Sequence, residues 1–223
     1  MSIQIGLYDF FAYTLPGAFL LLVLGYAGAM LRLFPLTWQT INTLSTPMII
    51  LGIALSYLLG VLLEPIAKRW YQIFQPKVRT RYIFEEFMRL HPDWKVKARP
   101  EDAGLLRAYI KQEKMEIALD IEKNGATAKM LRNFSFGLAL LALILLIQSF
   151  IQGFQVLRLL LFLMAGGLSG LATLEATKYY RWFHFLTLET IAAFTLDPTD
   201  HVIHQAALPD SPFIPQPNPP TQP

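Results

Sequence analysis

Asp197, Asp200, His201 and His204, in the string Asp-Pro-Thr-Asp-His-Val-Ile-His, form the one cluster with the side-chain types of a metal site. His201 and His204 lie three apart, one helical turn, a spacing that could bring both imidazoles to one ion. The same string also reads as local structure, with Asp197-Pro198 as a turn and Asp200 as the cap of a short helix. That reading takes precedence, so no metal ligand is assigned. The chain has no Cys, which removes disulfides, thiolate nucleophiles, Fe–S clusters and Cys-type zinc sites. Catalytic residues and cofactor ligands are likewise expected to be none. Polar residues that could converge at one depth of a membrane are Ser56, Gln148, Ser149, Ser169 and Thr173, the basis of an alternative reading as a membrane-embedded enzyme or small transporter.

The elements that must position these residues are membrane helices. Of 223 residues, 54% are hydrophobic and 16% charged, against averages of about 45–50% and about 25% in soluble domains. Mean hydropathy is +0.40. Phe10 to Leu31 is free of Asp, Glu, Lys and Arg, long enough for a hydrocarbon core that takes about 20 helical residues to cross. No Lys or Arg precedes it and Asp9 stands where a signal peptide would be basic, so it reads as a crossing and not a cleaved leader. The fold class is therefore all-α and polytopic, with transmembrane helices over about 10–33, 47–64, 133–152 and 156–175. Ser45 or Thr46 can cap the second, with Pro47 at its first position and Pro65 at its end. Arg158 and Glu175 bracket the fourth, and Glu64 and Glu175 are expected to pair at the interface, Glu175 with Lys178 one turn on. No helix centre carries an ionisable residue, which leaves proton-coupled transport little support.

Fifteen of the 19 Lys and Arg residues lie between Lys68 and Arg132, two more are Lys178 and Arg181, and the link from Phe34 to Thr46 has none. The positive-inside rule then places the 66–132 loop and both termini in the cytoplasm of a bacterial-type inner membrane. Within the loop, the pattern predicts a helix over 77–90 that stops before His91-Pro92, and a second from Pro100-Glu101-Asp102 to about Lys123. Leu106, Ile110, Ile117 and Ile121 share one face of it. This stripe requires a partner: the 77–90 helix, another subunit, or the membrane surface. Basic residues interleaved with Tyr82 and Trp94 invite a nucleic-acid reading, but inside bias and anionic lipid headgroups explain the same charges. After the fourth crossing, 178–204 reads as a juxtamembrane helical segment anchored by Tyr179, Tyr180, Trp182, Phe183 and Phe185, and 205–223 as a Pro-rich disordered tail.

Gly52, Ser56 and Gly60 recur every four residues, as do Gly166 with Gly170 and Gly25 with Ala29. Such faces permit close helix approach inside one bundle or between subunits, so a homo-oligomer is expected. Asp9, read as a helix cap, opens the string Tyr-Asp-Phe-Phe-Ala-Tyr-Thr-Leu-Pro-Gly, which ends at Pro16-Gly17. This opening resembles that of small, mostly uncharacterised bacterial multi-pass membrane proteins, some associated with antiviral defence. The expected function is a non-catalytic membrane anchor or oligomeric effector, possible pore formation included. Its expected partners are the bilayer with its anionic headgroups and a soluble cytoplasmic protein met through the 66–132 loop. A Cys placed at Asn42 should react with an impermeant thiol reagent from the periplasmic side, and one at Lys97 should not. Periplasmic labelling at position 97 would sink this topology.

Overall fold

The computed structural model describes residues 3–31, 45–75, 80–92 and 99–193. The 197–204 string, residues 34–44 of the uncharged link, Trp94 and the Pro-rich tail lie outside the described residues. Among the described residues six α-helices follow in chain order: α1 Ile3–Met30, α2 Thr46–Phe74, α3 Thr80–Leu90, α4 Ala103–Glu113, α5 Met115–Gln152 and α6 Val156–Ala193. A 3-10 turn at Pro100–Asp102 leads into α4. Helices α1, α2, α5 and α6 are each long and apolar enough to cross a membrane. In hydrocarbon every backbone N–H and C=O must be satisfied within the segment, which a helix achieves. The chain is an all-α, multi-pass membrane protein.

Packing divides the chain into two units: residues 1–76 with 123–179, and 77–122 with 180–223. In the first, α1 and α2 run antiparallel and nearly touch. A Cβ added at Gly17 would run into the Ser56 carbonyl oxygen, and one at Gly60 into that of Tyr13. Ser56 folds its hydroxyl back onto the Gly52 carbonyl at 2.7 Å and so presents little bulk. Helix α5 runs parallel to α1: Lys129 meets Asp9, Phe134 meets Phe19 with ring centroids 5.6 Å apart, and Gln148 accepts from Tyr26. Helix α6 returns after a three-residue link in which Gly153 has φ +84°, a left-handed conformation suited to glycine. The starts of α1 and of the α5 crossing therefore share one end with the finishes of the α2 and α6 crossings. This is the basic end.

In the second unit, α3, α4, the first turns of α5 and the last turns of α6 enclose Phe84, Phe87, Leu106, Ile110, Ile121, Leu188 and Ile191. The stripe predicted at 106–121 is thus buried, except that Ile117 is only partly covered. Its partner includes α3, as one reading held, and also the end of α6.

Several boundaries differ from expectation. Pro65 does not end α2, which continues to Phe74; Pro16 also sits inside α1, fully buried. Each proline removes one helical bond, a cost that flanking turns and neighbouring helices absorb. The helix predicted over 100–123 breaks at Lys114, whose non-helical backbone (φ −140°, ψ 73°) lets the stripe fold onto itself as two helices. From Met115 the chain then stays helical through Asn133 to Gln152, and α6 likewise continues past Lys178 to Ala193. Asp9 is not a cap, since α1 begins at Ile3.

Because backbone, not side chain, stands opposite Gly17 and Gly60, Gly60→Val should destabilise the first unit by more than the 1–3 kcal/mol or so typical of overpacking. Gly52→Ala, where nothing lies within 4 Å of the new Cβ, should be near neutral. Thermal unfolding in detergent measures both.

Candidate functional site

At the basic end of the first unit, each of the two carboxylates on α1 and α2 meets a cation on α5. Asp9 Oδ1 lies 3.2 Å from Lys129 Nζ, and Glu64 Oε1 lies 3.0 Å from Arg132 Nη2. Tyr13 stands beside both pairs: Glu64 is among the groups around its hydroxyl, and Lys129 Nζ stands 5.8 Å from its ring centroid. The Arg132 side chain is 9% exposed and that of Glu64 26%. A charge so poorly hydrated is stable only when paired. Positions 9 and 13, 60 and 64, and 129, 132 and 133 fall on helical faces turned to one another, so two four-residue steps and the α1–α2 crossing suffice to assemble the group.

Next to Arg132, Asn133 is fully buried, and neither amide atom has a hydrogen-bond partner among the described residues. Arg132 Nε and Thr14 Oγ1 share that condition. Unsatisfied buried polar atoms are rare and costly, so their grouping here distinguishes this end of the bundle from the rest of the apolar core. The arrangement holds fixed charge and hydrogen-bonding capacity at the edge of the hydrocarbon.

Farther along, Ser135 on α5 meets Ser169 and Thr173 on α6. The Ser135 and Thr173 oxygens are 2.6 Å apart, the Ser169 hydroxyl donates to the Ser135 carbonyl at 2.8 Å, and all three residues are buried. Of the five polar candidates read from the sequence, only Ser169 and Thr173 converge. Ser56 and Ser149 bond carbonyls on their own helices, and Gln148 bonds Tyr26. Ser135 was missed because it lies at the start of a run that reads as crossing, between Phe134 and Phe136. Near the basic end, Tyr71 donates to Thr177 at 2.9 Å. Glu175 pairs with Lys178 at 3.7 Å as expected, whereas the cross-helix partners of Glu64 and Asp9 carried no signal in local spacing.

A cavity of about 890 Å3 opens among α2, α5 and α6. Gly166 and Gly170 belong to its wall and face open space, with nothing within 4 Å of an added Cβ, so within one chain they are not a helix-contact face.

In the second unit, outside the crossing stretch of α6, His184 is 5% exposed and boxed by Phe84, Tyr180 and Phe183. Burial, helped by nearby Arg107, pushes its imidazole down to about 4. Burial also lowers Arg107, whose guanidinium sits 4.7 Å from the Phe183 ring centroid. Among the described residues no group of three or more His, Asp and Glu could hold a metal ion. No family model, curated protein or solved structure matches the chain.

Two outcomes follow from these geometries. Arg132→Gln and Glu64→Gln should each destabilise the first unit, and the double variant should recover part of the loss, with a coupling of about 0.5–3 kcal/mol in a double-mutant cycle. Additive effects would dissolve the pair. For His184 the native state binds the proton later than the unfolded chain. Stability is therefore full above the ordinary histidine range near pH 6.5 and falls as pH drops toward 4, by about 3 kcal/mol in all. His184→Phe should flatten the unfolding curve over that window.

Proposed function

We propose that this multi-pass membrane protein is a non-catalytic anchor or oligomeric effector of a bacterial-type inner membrane. Its second unit receives a soluble cytoplasmic partner, and its first unit delivers the effect within the bilayer. One observation carries this reading: α5 and α6 each give one stretch to the first unit and another to the second without a break in the helix. At about 1.5 Å per residue, 38 residues reach about 57 Å, nearly twice a hydrocarbon core of about 30 Å. Helix extending beyond the hydrocarbon is what a receiving unit outside the bilayer is built from, which an anchor or an effector needs and a bare crossing does not. The lysines and arginines concentrated between 68 and 132 support cytoplasmic placement of that region and of both termini. Self-association is supported by Gly52, which leaves α2 open where Gly60 is already used internally. The resemblance of the 8–17 opening to defence-associated membrane proteins supports an effector role in which ion leakage is the output.

A membrane enzyme or small transporter is the second reading, favoured by the buried Ser135, Ser169 and Thr173 hydroxyls. Native mass measurement in detergent and in nanodiscs, followed by potassium efflux from liposomes with and without a co-purified partner, separates the two. The effector reading expects an oligomer and efflux that depends on the partner. A strictly monomeric particle without efflux overturns the oligomeric effector, and uptake of a specific solute without leakage selects the transporter.

A further inference from the structure

We infer that the cavity of about 890 Å3 on the first unit is a binding site for one anionic phospholipid, whose acyl chain lies in the groove with its headgroup at the basic end. The volume falls within the range of about 300–1,000 Å3 that small-molecule sites occupy. The wall runs from Phe136 to Leu146 on α5 and from Phe162 to Leu174 on α6. At about 1.5 Å per residue these stretches cover about 15 and 18 Å, close to half of a hydrocarbon core about 30 Å thick. The groove is as deep as the chains of one leaflet. It is too short for the full crossing helix of a second copy.

Its polarity sets the direction. The end nearest the finish of α2 carries Trp70 and Gln75 and the far end Leu146 and Phe162, the order expected from headgroup level to mid-bilayer. Trp70, Phe74 and Phe136 form one aromatic wall, with ring centroids 4.6 and 5.9 Å apart. Across from it, Gly166 and Gly170 leave the floor open for a methylene chain. Lys178 lies one turn beyond Leu174 on the same face of α6, with its side chain 51% exposed. Lys68 and Arg69 are exposed at the same end on α2. Among the described residues at this end, Asp9 and Glu64 are matched by Lys129 and Arg132 and Glu175 by Lys178, so Lys68 and Arg69 leave the headgroup level a positive excess that complements a phosphodiester with a further negative charge.

The full-length protein in nanodiscs provides the test. Phosphatidylglycerol with a photoactivatable diazirine in its acyl chain is added at trace level to phosphatidylcholine, and the cross-linked peptides are mapped. Labels are expected to concentrate on 136–146 and 162–174 at least fivefold above the outer face of α2 at Leu55 and Leu58. Gly166→Leu with Gly170→Leu should reduce that labelling at least fivefold without changing helicity or particle mass. Should this variant misfold, Leu143→Trp fills the groove from α5 and makes the same demand. Lys178→Gln should lower the preference over a phosphatidylcholine probe of the same chain while leaving the chain position unchanged. Even labelling of all lipid-facing helices overturns the site. So does loss of an oligomer in the glycine double variant with labelling intact, which would assign the groove to a second copy. Equal labelling by the two probes overturns the anionic headgroup.

Discussion

The arrangement of the first unit depends on how closely α1 approaches α2. With backbone of one helix against Gly17 and Gly60 of the other, there is one depth at which the pair can cross, and every side chain on the two helices takes its level from it. Tyr13 is fixed beside Gly60, which places Glu64, one turn on, within reach of the Tyr13 hydroxyl and of Arg132. Lipid cannot supply a hydrophobic force between helices, so close van der Waals contact and a few polar pairs must do this work. Slipping the crossing by one turn would leave Glu64 and Arg132 apart at the edge of a medium that hydrates neither.

Much of this architecture was legible in the sequence, because the bilayer imposes a coarse rule that composition obeys. Four apolar stretches, the 66–132 cluster of cations and the stop before His91-Pro92 all follow from local chemistry. What escaped notice depends on two helices at once. Asp9 has the composition of a cap and the structure of an ion-pair partner, since only the parallel run of α5 beside α1 brings Lys129 to it. Pro65 has the character of a terminator, yet the chain after it is held by Ala67 and Tyr71 packing inward. The stripe at 106–121 was readable as buried, but the seven-residue gap between Ile110 and Ile117 concealed a break that turns one amphipathic helix into two.

The polar content of the candidate site was the least legible part. Serine inside a crossing satisfies itself on the preceding turn, as Ser56 and Ser149 do, and in sequence it looks the same as one that bonds across helices. Ser135, Ser169 and Thr173 differ from them by register alone. Asn133 presents the opposite case: an amide next to the cationic end reads as interfacial, and its burial follows from α5 continuing straight through the level where a loop was expected to end.

The link between α5 and α6 has a consequence for how the protein enters a membrane. Only Gly153, Phe154 and Gln155 separate the two helices, none is charged, and Gly153 already has the backbone twist of a tight reversal. Two helices so joined can insert together as a hairpin, each satisfying its own backbone, while only a three-residue turn has to be carried to the opposite face. A link this short ties the depth of one helix end to that of the other, so neither helix of the pair can shift along the bilayer normal alone.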